Sequence, residues 1–91
     1  MGISTALFQL LVMYYSCDFA ATVGELDPAR IDSCSSIYEQ VKQQVAQLEN
    51  VEPETSAEAY LVWKNWEQEN SDLVGIIRDQ GIQNHIYQHR P

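Results

Sequence analysis

The sequence predicts an all-α fold, a small four-helix bundle built on an antiparallel helical hairpin. One observation is that residues 3–17 contain no charged side chain and are apolar on every side, as expected of a helix buried in a core. The other is a following segment in which apolar residues recur at spacings of 3 and 4, the pattern of an amphipathic helix. The 91 residues suffice for one domain, 1–91, whose core must be small.

The first predicted helix covers residues 3–21, with Ser4 placed to cap its amino terminus. A membrane-spanning helix needs about 20 apolar residues, and this run ends at Asp18. A secretory signal begins with basic residues, whereas no lysine or arginine precedes Arg30, although two alanines after the run resemble a cleavage site. We therefore expect a buried helix in a cytoplasmic protein that does not bind membranes.

The second predicted helix covers residues 28–49 and begins at Asp27 and Pro28, a pair that favours helix initiation. Its apolar residues form a seam, and the side between them, which includes Lys42, is predicted to face solvent. The seam comprises Ile31, Cys34, Tyr38, Val41, Val45 and Leu48. Folding the chain back at Gly24, which accepts a left-handed conformation, gives an antiparallel pair. In that register the neighbours are Cys17 with Cys34, Tyr14 with Tyr38, Leu10 with Val41 and Leu7 with Val45.

Two shorter helices are predicted after a break at Pro53. The third covers residues 56–67, because Thr55 and Glu58 match a capping box. Its apolar face comprises Ala59, Val62, Trp63 and Trp66. The fourth covers residues 71–81 and ends at Gly81, with Leu73, Ile76 and Ile77 facing inward. Residues 82–91 are left open, because two isoleucines in this tail also allow a bent continuation of the helix.

The two cysteines are predicted neighbours, and their redox state depends on the cell compartment. A cytoplasmic protein keeps thiols reduced, so we expect Cys17 and Cys34 to be free and buried as small apolar groups. Their proximity allows a disulfide under oxidising conditions, and that alternative stays open.

Residues that carry catalytic or metal chemistry are sparse. His85 and His89 are spaced as on one face of a helix, which some metal sites require. No third ligand and no nucleophile motif accompanies them, so we interpret both as surface residues. The sequence therefore predicts a non-enzymatic protein without a cofactor or metal.

Charge is the feature that most clearly suggests a function. The net charge is −8, and the basic residues are scattered singly, which disfavours direct binding of nucleic acid and favours a protein partner with a basic surface. No basic residue lies between Lys42 and Lys64. The predicted partner-binding residues within this interval are Glu49, Glu52, Glu54, Glu58, Tyr60 and Trp63. The alternative is that the glutamates only solubilise the chain and the tryptophans only fill its core.

In size, charge and lack of catalytic motifs the profile is similar to that of short acidic phage and plasmid proteins that block host defence, such as anti-CRISPR and antirestriction proteins. It is also similar to that of bacteriocin immunity proteins. The similarity includes no motif, so it assigns no functional residue. It implies a small inhibitor that covers a basic, nucleic-acid-binding surface of a larger protein. The alternative is a structural or assembly module that acts as a homodimer or complex subunit, because so small a core benefits from a partner.

Overall fold

The computed structural model describes residues 3–88, and these form four α-helices with a short 3-10 turn. Helix α1 spans Thr5–Thr22, the 3-10 turn spans Pro28–Arg30 and α2 spans Ile31–Leu48. Helix α3 spans Ser56–Glu69 and α4 spans Ser71–Gln88. The predicted all-α four-helix bundle is confirmed. None of the helices in the described part of the chain has the length and apolar character that a bilayer span requires.

The hairpin formed by α1 and α2 has the predicted register. Cys17 and Cys34 are joined across it with their Cα atoms 6.0 Å apart, and the rings of Tyr14 and Tyr38 lie 6.1 Å apart. The expectation of free thiols was wrong, since the structure contains the disulfide. That expectation came from a compartment argument, whereas the antiparallel register brings the two Cα atoms within the distance that a disulfide spans.

Both helices of the hairpin end in a Schellman motif, in which a left-handed residue lets two amides bond back to the last turn. After α1 this residue is Gly24, with φ of 73°, and the amide of Glu25 donates to the carbonyl of Ala20 at 2.7 Å. After α2 it is Asn50, with φ of 56°. These ends fix the direction in which the chain leaves each helix.

Helix α4 is longer than predicted, because Gly81 lies inside it and not at its end. A Cβ atom at this position would lie 2.8 Å from the Val12 carbonyl oxygen, 2.8 Å from Tyr15 Cβ and 2.9 Å from the Ser16 amide nitrogen. The glycine therefore lets α4 approach the backbone of α1 closely. This contact makes α4 the main packing partner of α1.

One core joins all four helices. Its fully or almost fully buried members are Leu7, Leu11, Tyr15, Val41, Val45, Trp63, Trp66, Val74 and Ile77. Four expectations of burial were wrong. Ile31, a residue of the predicted seam, is 49% exposed, and Ile76 is 60% exposed while Val74 is buried. Lys42 is only 2% exposed and His85 only 1% exposed. The prediction for His89 lies outside the described residues.

Candidate functional site

The predicted partner-binding glutamates surround the connection between α2 and α3. We call residues 49–58, which comprise this connection and the first turn of α3, the acidic turn. Glu49, Glu52, Glu54 and Glu58 are all exposed. The Schellman motif at Asn50 begins the turn, where the amide of the next residue donates to Ala46 at 2.9 Å. Hydrogen bonds at both of its ends thus define the course of this surface.

Glu58 differs from the other glutamates because it helps to build the turn. Thr55 caps α3 by accepting from the Glu58 amide at 3.1 Å, as the capping box predicts. The Glu58 carboxylate accepts from the amide of Glu54 at 2.8 Å, one residue before the cap. By contrast, the carboxylates of Glu49 and Glu52 form no ion pair within residues 3–88, and neither does that of Glu54.

Lys42, which precedes the acidic turn, forms its ion pair with Glu39, outside the turn. Its ammonium group bonds to the hydroxyl of Ser56, lies 3.0 Å from the Glu39 carboxylate and sits 4.5 Å from the centre of the Tyr38 ring. Because the side chain is buried, its charge is used to hold α2 against the start of α3. The sequence places Lys42 next to the apolar seam, which is the signal that could have indicated packing of its long stem.

The two predicted aromatic anchors lie in different environments. Tyr60 is 40% exposed, while Trp63 has no exposed surface and packs edge-on against Tyr14, with ring centres 4.7 Å apart. Trp63 is therefore part of the core and offers no surface to a partner in this conformation, as its alternative interpretation held. The Lys64 ammonium lies 5.3 Å from the Tyr60 ring centre. Tyr60 is thus the accessible aromatic of the predicted set, and it borders on a cation.

A partly buried polar cluster, which the sequence did not suggest, links α1, α3 and α4. The hydroxyl of Tyr15 donates to Glu67, whose other oxygen lies 2.9 Å from the Lys64 ammonium. The Arg78 guanidinium stacks 5.2 Å from the Tyr15 ring centre. Burial, together with the hydrogen bond to Glu67, raises the pKa of Tyr15 far above its usual range. Tyr15 therefore stays protonated and acts as a structural donor, not as a base.

His85 also forms a contact inside the fold. Its Nε2 lies 3.0 Å from a carboxylate oxygen of Glu25, and its ring packs edge-on against Phe19 with centres 5.5 Å apart. The burial of the imidazole keeps it from a substrate in solution. Within residues 3–88, no three His, Cys, Asp or Glu side chains are grouped as a metal site would require.

No protein-family model, curated protein or solved structure shows significant similarity to this chain. Function is therefore inferred from the chemistry of the surface.

Proposed function

We propose that this chain is a small non-enzymatic binding protein that docks its acidic turn on a basic surface of a larger protein. The observation that carries the proposal is the group of three exposed carboxylates, on Glu49, Glu52 and Glu54, that form no ion pair within residues 3–88. Their charge is available to a partner, whereas the nearby Lys42 is buried.

The charge distribution supports a role in encounter. Unpaired charges of one sign on a protein surface attract an oppositely charged partner over several ångströms and accelerate association. The net charge of −8 adds to this attraction. The accessible ring of Tyr60 follows the turn on α3 and supplies an aromatic contact of the kind that slows dissociation.

The partner surface that fits is one lined by arginine and lysine, such as a groove that otherwise holds nucleic-acid phosphates. Carboxylates on a short, structured connection present negative charge in the way that a phosphate backbone does. Occupying that groove would inhibit the partner, so we propose an inhibitor of a nucleic-acid-binding protein.

The test is capture from a lysate of the source organism with the immobilised protein and with a turn variant, Glu49→Lys, Glu52→Lys and Glu54→Lys. Glu58 is left unchanged because it stabilises the start of α3. We expect the parent to retain a basic protein that added heparin, a polyanion, releases. The turn variant should lose this protein, and its binding kinetics should show slower association with weaker dependence on salt.

A scattered variant, Asp18→Lys, Glu69→Lys and Asp79→Lys, is the matched control. It changes net charge by the same amount at three exposed sites outside the acidic turn. We expect it to bind at close to the parent's rate. If both variants bound the partner equally weakly, net charge alone would explain the binding. If the turn variant bound the partner as well as the parent does, the proposal would be contradicted.

A further inference from the structure

A groove of about 570 Å³ runs between α1 and α4, on a part of the surface that the proposed function does not use. Its apolar lining comes from Phe8, Val12, Met13 and Tyr87. Its polar lining in the described part of the chain consists of amide side chains, those of Gln9, Gln80, Gln83 and Asn84. Within the described residues, no charged side chain lines it, although the molecule has a net charge of −8.

Three of the lining residues belong to a stripe of exposed side chains along α4. Ile76, Gln80, Gln83 and Tyr87 follow one another at spacings of 4, 3 and 4, which is the spacing of a helix–helix seam. Ile76 is 60% exposed and Tyr87 is 72% exposed. The groove and this stripe thus offer apolar surface that the monomer leaves in contact with water.

The chemistry of this surface favours a second copy of the same chain as the partner that covers the groove. In a two-fold symmetric contact, residues near the axis face their own counterparts. A charged side chain there would repel itself, whereas an amide carries both a donor and an acceptor and can pair with a second amide. A groove whose lining, within residues 3–88, has amides and no charges is therefore compatible with its own copy. A basic partner, by contrast, would gain no charge attraction in this groove.

We infer that the chain forms a symmetric homodimer in which α4 of each copy packs along the α1–α4 groove of the other. Tyr87 of each copy would enter the opposite groove, and Gln80 and Gln83 would pair across the axis. The close contact at Gly81 holds α4 firmly against α1, so the surface is preformed. Repulsion between two chains of like charge opposes the contact, and salt should therefore strengthen it.

Sedimentation equilibrium of the full chain tests the inference. We expect a monomer–dimer equilibrium when the protein concentration is raised to about 1 mM. This range reveals a dimer even if its dissociation constant is close to about 1 mM. The dimer fraction should rise as salt is increased. This salt effect is opposite to the one expected for the acidic turn and its basic partner, so the two proposals can fail independently. A monomer throughout this range, at low and high salt, would overturn the dimer.

A pair of isosteric variants locates the contact. Gln80→Glu with Gln83→Glu places carboxylates opposite their own copies and should raise the dimer dissociation constant by at least about tenfold. Gln40→Glu with Gln43→Glu is the matched control, since it adds the same charge with the same spacing on an exposed part of α2. The control should stay within about threefold of the parent. Equal weakening in both variants, or no weakening in the first, would exclude this groove as the interface. Circular dichroism should show the same helical content in all three proteins.

Discussion

Lys42 and Glu58 show that a charged residue beside the acidic turn can serve the fold. The Lys42 ammonium contacts Ser56, Glu39 and the Tyr38 ring, so a cation that the sequence pattern assigns to solvent is buried. Glu58 accepts a backbone hydrogen bond at the start of α3. Both residues position the turn, and the carboxylates left for a partner are those of the other glutamates.

The role of Trp63 could not be decided from the sequence. Tryptophan is favoured both in cores and in binding sites, and its helical spacing with Ala59 and Trp66 is compatible with either role. The tertiary contacts with Tyr14 and Tyr38 decide for the core. The exposure of the glutamates was easier to predict, because an unpaired carboxylate is rarely buried.

Gly81 gives the sharpest test at the scale of one residue. Gly81→Ala would place a Cβ atom within 2.9 Å of three atoms of α1, two of them in the backbone, which cannot move as a side-chain end can. We expect a loss of about 1–3 kcal/mol in the free energy of unfolding, measured by urea denaturation.

Gly75→Ala is the control for that substitution. It lies in the same helix, and a Cβ atom there would meet nothing within 4 Å. Alanine should therefore stabilise the protein by about 0.5–1 kcal/mol through its better helix propensity. If both variants shifted stability in the same direction, the close packing of α4 on α1 would be contradicted.

At the scale of elements, the sequence predicted the hairpin well and the fourth helix poorly. The spacing of apolar residues in α2 is regular, and a short connection between long helices leaves one antiparallel register. A glycine such as Gly81, however, ends a helix in one context and permits close packing in another. Only the tertiary contact with α1 separates the two cases, and the same contact accounts for the burial of His85.

The disulfide adds a cross-link to a hairpin whose register is already fixed by packing. Its two cysteines are 17 positions apart, a separation for which closure of the loop contributes about 3 kcal/mol. We expect reduction, or the double substitution Cys17→Ser and Cys34→Ser, to lower the free energy of unfolding by about 2–4 kcal/mol. Helical content should be retained while the core stays intact, as circular dichroism can show.

The double variant is also the control for the reductant. Its unfolding curve should not change when reductant is added, whereas that of the parent should. A parent whose stability is the same with and without reductant would lack the disulfide in solution.

At the scale of the whole molecule, negative charge and stability oppose each other. A net charge of −8 on a chain of 91 residues repels itself, and this repulsion is greatest where carboxylates have no partner. Such a surface costs stability without serving the core, which is the reason to look for its use in binding. The α1–α4 groove also favours binding over solubility, because its lining leaves apolar area exposed where charged side chains would improve solubility.

A dimer formed through that groove would present two acidic turns, and a partner with two basic sites would bind it with avidity.

The stability of the turn variant shows whether Glu49, Glu52 and Glu54 serve the fold or are available for binding. It can be measured before any partner is known. Each reversal at Glu49, Glu52 and Glu54 adds two positive units to a net charge of −8 and removes no ion pair seen in the described part of the chain. We expect urea denaturation to give an equal or slightly higher free energy of unfolding at low salt, within about 0.5 kcal/mol of the parent. High salt should remove the difference. Glu58→Lys, in contrast, should cost about 1 kcal/mol at both salt concentrations, because it removes a hydrogen bond at the start of α3. If the turn variant lost more than about 1 kcal/mol in its free energy of unfolding, the three glutamates would be shown to stabilise the fold. The proposal that their charge is available to a partner would then fail.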